Sequence, residues 1–206
     1  MPHQQADPNS VFLNIPYDDE FRDIYIAYVV GLYQLGLAPH LATEIPGGQR
    51  RLDRIFSLIK SCRYSIHDLS RVELSANSSA SPRFNMPLEL GMTIAWTELN
   101  PERHTWSVWE SSPYRLQMST SDLNGTDPNI HYGTAEGVLS ELRSLFVFKD
   151  APTVKQMMKA FQAVEKKTKR IQATAGTSDL YSAAIFKDLC FVAVNAVQIE
   201  KDISSR

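Results

Sequence analysis

The stretch Val11-Phe12-Leu13-Asn14-Ile15-Pro16 is a short apolar run closed by a proline, and its reading decides the fold. A run this short and this apolar fits a strand buried on both faces, the kind found in parallel sheets covered by helices. The next segment reads as the first of those helices. Asp18 or Asp19 stands where an N-cap belongs. Phe21, Ile24, Tyr25, Tyr28, Val29 and Leu32 recur at helical spacing between Glu20 and Leu35. Gly36 supplies the stop.

The same alternation continues outward. Leu37 to Ala42 reads as a second strand, and Glu44 to Gln49, with Pro46 and a glycine pair, as a loop. Arg51 to Cys62 carries Leu52, Ile55, Phe56 and Ile59 on one helical face, and Arg63 to Leu69 reads as a third strand. Ser70 to Pro82 is rich in Ser, Ala and Asn, the composition of a mobile or ligand-covering loop. Pro87 suits the first position of a third helix reaching Leu99, with Asn85 or Met86 ahead of it. His104 to Trp109 and Ile130 to Tyr132 complete the strands, with a short irregular or helical segment over Tyr114 to Gly125 and a helix over Glu136 to Phe146. Strands and helices in this order predict an open, mostly parallel, five-stranded α/β sheet flanked by helices.

The end of the chain differs in character. Thr153 to Ala173 is helical and basic, with Lys155, Lys159, Lys166, Lys167, Lys169 and Arg170. Leu180 to Ile203 is helical and apolar, and Gly176-Thr177-Ser178 separates the two. The pair predicts a C-terminal helical hairpin packed on the sheet domain or on another subunit. The expected organisation is a flexible tail over 1–10, an α/β domain over 11–148 and the hairpin over 151–206.

Composition excludes little but points one way. The 206 residues are 43% hydrophobic and 21% charged, with a net charge of -2, as in an ordinary soluble globular protein. That balance gives no reason to expect nucleic acid or a membrane as partner. No apolar run approaches the roughly 18 residues of a transmembrane helix, and the polar opening MPHQQADPNS lacks a secretion signal. Cys62 and Cys190 lie far apart in apolar contexts and read as free thiols of a reducing cytoplasm. Two Cys and five scattered His show no ligand spacing, so neither a metal nor a prosthetic group is expected.

Ligands of open α/β sheets bind at the carboxyl ends of the strands. Two strands here end in polar groups, Asn14 to Asp18 and His67-Asp68-Leu69-Ser70, and the third helix opens with Glu89 among apolar residues. A carboxylate in such surroundings has a partner or a task. Asn14, Tyr17, Asp68 and Glu89 are therefore expected to converge on one crevice. Departure of a base from C1 of a ribose builds positive charge on the sugar. One carboxylate stabilises that charge or attacks C1, and a second holds sugar hydroxyls or passes a proton. Glu89 and Asp68 are the catalytic candidates. Asn14 and Tyr17 would line the base and ribose pocket, with Arg83 on a phosphate, Asn85 as a further substrate contact, and Phe84, Met86 and Trp96 keeping the site dry. Each has a plainer reading. Glu89 could meet only its helix dipole, Asp68 cap a strand end, Tyr17 cover the core, and His67 be a satisfied core histidine. Asp122, Asn124 and His131 read as turn chemistry, the lysine run as a solvated face, and the apolar last helix as packing or an oligomer interface.

The motifs Val11-Phe12-Leu13-Asn14-Ile15-Pro16-Tyr17, His67-Asp68-Leu69-Ser70 and Phe84-Asn85-Met86-Pro87-Leu88-Glu89-Leu90-Gly91 resemble a bacterial family at the border of two groups. These are the nucleoside 2-deoxyribosyltransferases and the TIR (Toll/interleukin-1 receptor) domains. The resemblance spans residues 11 to 146 and implies a flavodoxin-like fold. It implies that Glu89, in Glu89-Leu90-Gly91, is the nucleophile of a transferase or the acid of an NAD-cleaving TIR domain, with Asp68 as the transferase aspartate. It further implies a nucleoside, nucleotide or NAD as ligand, a homo-oligomer, and an anti-phage or nucleotide-stress setting. The first loop departs from the transferase pattern, with Asn14-Ile15-Pro16-Tyr17 in place of a glycine-rich segment. A non-catalytic TIR-like module that binds a nucleotide signal and self-assembles is the alternative.

Overall fold

The computed structural model describes residues 6–44, 48, 50–72, 82–175 and 179–204. In chain order the elements are β1 (Asp7–Asn14), α1 (Arg22–Gln34), β2 (Ala38–His40), α2 (Arg51–Ser61), β3 (Cys62–Asp68), α3 (Asn85–Leu99) and β4 (Thr105–Glu110). There follow α4 (Arg115–Ser119), β5 (Asn129–Ile130), α5 (Ala135–Leu145), α6 (Val154–Ala175) and α7 (Ala183–Ser204). The five strands form one parallel sheet in the order β2-β1-β3-β4-β5, flanked by helices, which is the flavodoxin-like α/β fold. Strand order reverses between β1 and β3, so the crevice outside their carboxyl ends is where this architecture holds ligands.

Local chemistry explains most boundaries. β1 starts at Asp7, four residues before Val11, because Asp7 already pairs with Cys62 across a break in register. The last four residues of the expected tail are thus strand. Val11, Phe12 and Leu13 are fully buried, as their apolarity requires. Asp18 accepts a hydrogen bond from the Phe21 N–H at 3.0 Å, capping a single 3₁₀ turn (Asp19–Phe21) that leads into α1. α1 ends in a Schellman motif. The Leu37 N–H donates to the Leu32 carbonyl at 2.9 Å and the Gly36 N–H to that of Tyr33 at 3.0 Å, with Gly36 at φ +76°.

The chain divides into two compact units, Met1–Pro16 with His40–Tyr132 and Tyr17–Pro39 with Gly133–Arg206. This replaces the division expected at residue 151, since α1 and α5 belong with α6 and α7. The cause is that α1 is apolar all round. Tyr25, Ile26, Ala27, Tyr28, Val29, Val30 and Leu32 are all fully buried, and α5, α6 and α7 cover them. Gly31 allows the closest approach. A Cβ there would lie 2.6 Å from Leu142 Cδ1 and 2.7 Å from Leu139 Cδ2. In the same unit Ile185, Phe186, Leu189 and Ala193 form the buried face of α7, while the basic residues of α6 are exposed. Glu165 is their counter-ion, 2.6 Å from Lys169 and 3.1 Å from Arg22.

In the first unit α3 spans two apolar clusters. Met86 and Leu90 pack with Leu69, Val108 and Leu116 near the carboxyl ends of β3 and β4. Met92 and Trp96 pack against Phe12, Ile55, Leu58 and Ile59. Most of the serine-rich loop, residues 73–81, lies outside the described residues. Among the described residues Cys62 is a buried free thiol, and no helix is long and apolar enough to cross a membrane.

Candidate active site

Asn14 closes β1 opposite His67 on β3. Its Nδ2 lies 3.0 Å from the Met86 carbonyl oxygen and 3.0 Å from His67 Nδ1. Both amide hydrogens are thereby used inside the protein. Asn14, expected from sequence to line the base and ribose pocket, commits its Nδ2 to a tie between the sheet and the start of α3. His67 is fully buried with both ring nitrogens bonded, and burial pushes its pKa down to about 3, so it is a neutral core histidine.

α3 begins at Asn85, two residues before Pro87. The prolyl nitrogen still falls in the first turn, where an N–H has no intrahelical acceptor, so the proline fits its third position as well as its first. Glu89 therefore stands in the second turn, beyond the reach of the helix N-terminus, and the dipole reading fails. It lies on the buried stripe of α3 with Met86, Leu90 and Thr93 and is 3% exposed. Asn85, one turn earlier, hydrogen-bonds its carboxyl group. Arg51, the first residue of α2, brings a half-exposed guanidinium to 3.9 Å of Oε1. Among the described residues Oε1 itself has no hydrogen-bond partner. Burial pushes the pKa of Glu89 up to about 7, against the pull of Arg51 and Asn85. Glu89, Asn85 and Arg51 are thus assembled at the head of α3.

Asp68 lies elsewhere in the network of side chains. It is fully buried at the end of β3, where Oδ1 accepts from the Ser70 N–H at 3.0 Å and the Ser70 hydroxyl at 2.6 Å. Its Oδ2 is 3.2 Å from His131 Nε2, one residue past β5. Glu110, fully buried at the end of β4, meets Arg115 Nε at 3.0 Å, and Arg115 also donates to the Ser70 carbonyl at 3.1 Å. Burial raises the pKa of Glu110, the Arg115 guanidinium opposes the rise, and neighbouring Asp68 adds to it. These groups lace the ends of β3, β4 and β5 together. Asp68 and Glu89 have separate sets of partners. Asp68 is held by Ser70 and His131, and Glu89 by Asn85 and Arg51.

Tyr17 belongs to the second unit, where its ring stacks on Tyr181 at 4.8 Å, so packing occupies one face of the aromatic system expected to line a base. Arg83 is half-buried, and its backbone N–H bonds the Val72 carbonyl at 2.9 Å. Of the expected apolar wall, Met86 is buried, Phe84 is exposed, and Trp96 meets Phe56 edge-on at 6.0 Å. His131 is no turn residue but a buried partner of Asp68. Three participants had signals that sequence reasoning passed over. Glu110 closes an apolar strand just as Asp68 does, with Arg115 five residues on, and Arg51 opens a helix where a cation opposes the dipole and needs another partner. No protein-family model, curated protein or solved structure matches the chain.

Proposed function

We propose that the unit carrying Glu89 cleaves an N-glycosidic bond, with Glu89 as the group that meets the anomeric carbon. One observation carries the reading. A carboxyl group buried to 3% exposure, at the head of the helix that follows β3, keeps an oxygen to which no described residue hydrogen-bonds. Such an oxygen costs stability where it stands and has a lone pair ready for an electrophile. In the proposed step an Oε of ionised Glu89 bonds to C1 of the sugar as the C1–N bond breaks and its electron pair passes to the base. Water or a second acceptor then takes the sugar from the carboxyl group.

The partners of Glu89 favour one substrate class. A neutral base leaves well only if protonated, and the described partners are Asn85 and Arg51, neither of them an acid. A pyridinium base, as in the nicotinamide riboside bond of NAD, already carries its positive charge and departs neutral without a proton. Arg51, half exposed beside Glu89, suits a phosphate of such a dinucleotide. Self-association through the C-terminal helices is part of the proposal, with Phe191 and Val194 of α7 as exposed large apolar side chains. Light scattering above the monomer mass, reduced by Phe191→Asp, supports it, and a monomer at micromolar concentration counts against it.

The test is incubation of the full-length protein with NAD and, separately, with deoxynucleosides, reading released base by chromatography. The expected result is nicotinamide release that falls by roughly 10³-fold or more in Glu89→Gln. Cleavage that survives the substitution refutes the role of Glu89. The commitment of Asp68 to Ser70 and His131 favours a second reading, a module that binds a nucleotide signal without turnover. Saturable NAD binding with no release of base would select it.

A further inference from the structure

Asn14 is the end of a line of buried hydrogen bonds that crosses the sheet. His104 Nδ1 lies 2.8 Å from the Cys62 carbonyl oxygen, and its Nε2 lies 2.9 Å from Ser65 Oγ. Ser65 Oγ lies 3.1 Å from His67 Nε2, and His67 Nδ1 lies 3.0 Å from Asn14 Nδ2. The chemistry of the groups fixes the direction of every link. A carbonyl oxygen only accepts, so His104 carries its hydrogen on Nδ1. Burial keeps that imidazole neutral, so its Nε2 accepts and the Ser65 hydroxyl donates. Having spent its one hydrogen, Ser65 accepts from His67 Nε2–H. His67, neutral as well, then accepts at Nδ1 from Asn14. The second hydrogen of Asn14 Nδ2 goes to the Met86 carbonyl oxygen at 3.0 Å.

An isolated asparagine amide can turn over at little cost. Here a turn would break two hydrogen bonds at once and set Oδ1 against both the Met86 oxygen and a histidine lone pair. The five groups together hold one orientation of one amide, and that amide grips the first turn of α3. Met86 lies three residues before Glu89 on the same buried stripe.

We propose that Asn14 is a positioning residue, whose amide, locked by the Cys62–His104–Ser65–His67 line, pins the first turn of α3 and so sets the place of the Glu89 carboxyl. The inference rests on the reading of Glu89 as the reacting group.

The experiment uses nuclear magnetic resonance on the full-length protein, in parallel with base release from NAD. In the wild type, ¹⁵N shifts should show opposite neutral tautomers, hydrogen on Nε2 of His67 and on Nδ1 of His104. In Asn14→Ala the first turn of α3 loosens and water reaches Glu89. Arg51 from α2 and Asn85 from α3 are the polar groups that face it. Its ¹³C titration midpoint should then fall by about one pH unit toward the ordinary carboxylate range. Base release should lose about tenfold or more in kcat with KM within about twofold. Ser65→Ala leaves both hydrogen bonds of Asn14 in place and unlocks only the line behind it. It should shift the Glu89 midpoint in the same direction by less, and it decides the matter if Asn14→Ala does not fold. The proposal is overturned if the tautomers differ from those stated, or if the Glu89 midpoint stays at its wild-type value in the variant that folds. Should NAD and nucleosides go uncleaved by the wild type, the functional reading fails while the titration still decides the positioning.

Discussion

Replacing Glu89 by glutamine keeps the shape of the side chain and removes a charge that the fold holds at a cost. Burial raises the Glu89 pKa from 4.5 to about 7. A tenfold change in proton affinity is worth about 1.4 kcal/mol, so the ionised carboxylate destabilises the native state by about 3 kcal/mol once the pH exceeds 7. The folded protein holds this proton more tightly than the unfolded chain does. Between pH 4.5 and 7 the unfolded chain has released the proton and the folded one has not, so this contribution to stability declines as pH rises through that window. Below pH 4.5 both states are protonated and the contribution is level. Glutamine carries no such dependence and can still accept from Asn85.

The expected outcome is a stability difference between Glu89→Gln and wild type that grows by about 3 kcal/mol, in favour of the variant, between about pH 4.5 and pH 8. With a urea slope of about 2 kcal/mol/M the midpoint at pH 8 moves up by about 1.5 M relative to its offset at pH 4.5. Fluorescence of Trp109, fully buried in the native state, reports the transition. The same variant should release base more slowly, by roughly 10³-fold or more. A group whose removal stabilises the fold and abolishes turnover is there for chemistry. A difference that stays constant with pH, or a variant less stable than wild type at pH 8, would refute the reasoning.

The same geometry sets three further outcomes. In a Glu89→Gln background, which removes the opposing contribution of Glu89 and leaves that of Glu110, stability should fall as pH drops from 6.5 toward 3. Burial holds His67 neutral with a pKa of about 3 and also lowers that of His104, while the unfolded chain takes up both protons. His67 should steepen the slope by about 1.4 kcal/mol per pH unit, with His104 acting in the same direction, seen in urea titrations at stepped pH, and a flat profile there would contradict it. Tyr114 sits at φ +67° and is 77% exposed, so Tyr114→Gly should be about 1 kcal/mol more stable than Tyr114→Ala, and equal melting temperatures would remove the claimed strain. Gly31→Ala forces a Cβ to 2.6 Å from Leu142 Cδ1, an overpacking expected to cost about 1–3 kcal/mol and several degrees of melting temperature, and an unchanged transition would show that the α1–α5 contact yields freely.

What could be read in the sequence was whatever local chemistry decides. The proline after β1, the aspartate before α1 and the glycine after it each act within a few residues, and the elements appear where those signals stand. The head of α3 moved by two residues because a proline is equally at home anywhere in a first turn. The roles of side chains were less legible, for they depend on partners distant in the chain. Asn14 looked available to a ligand, yet its acceptors are 53 and 72 residues away. Asp68 and Glu89 looked like a pair because both stand near the end of β3. Arg115 and His131, brought in by the segments after β4 and β5, supply surroundings of Asp68 that its own segment does not reveal. The division of the chain was visible in part. The apolar residues of α1 run all round the helix, and a helix without a polar face needs cover on more than one side.

A single carboxyl group with a pKa of about 7 restricts what chemistry can be done at neutral pH, because about half of it is protonated before substrate arrives. As nucleophile it must be ionised, and as acid it must be neutral. A pyridinium substrate resolves the conflict. Its positive charge, brought against a buried carboxyl group, favours the ionised form and lowers the pKa in the complex. In the proposed reaction the substrate would thereby produce the nucleophile that attacks it. A neutral nucleoside brings no such charge and leaves the carboxyl group half protonated. The consequence is a separation of pH profiles. With NAD, kcat/KM, which reports the free protein, should rise with pH through a midpoint near 7, whereas kcat should rise through a lower one. Activity that declines as pH rises through 7 would make Glu89 a proton donor, and the substrate class would then shift to bases that leave only when protonated.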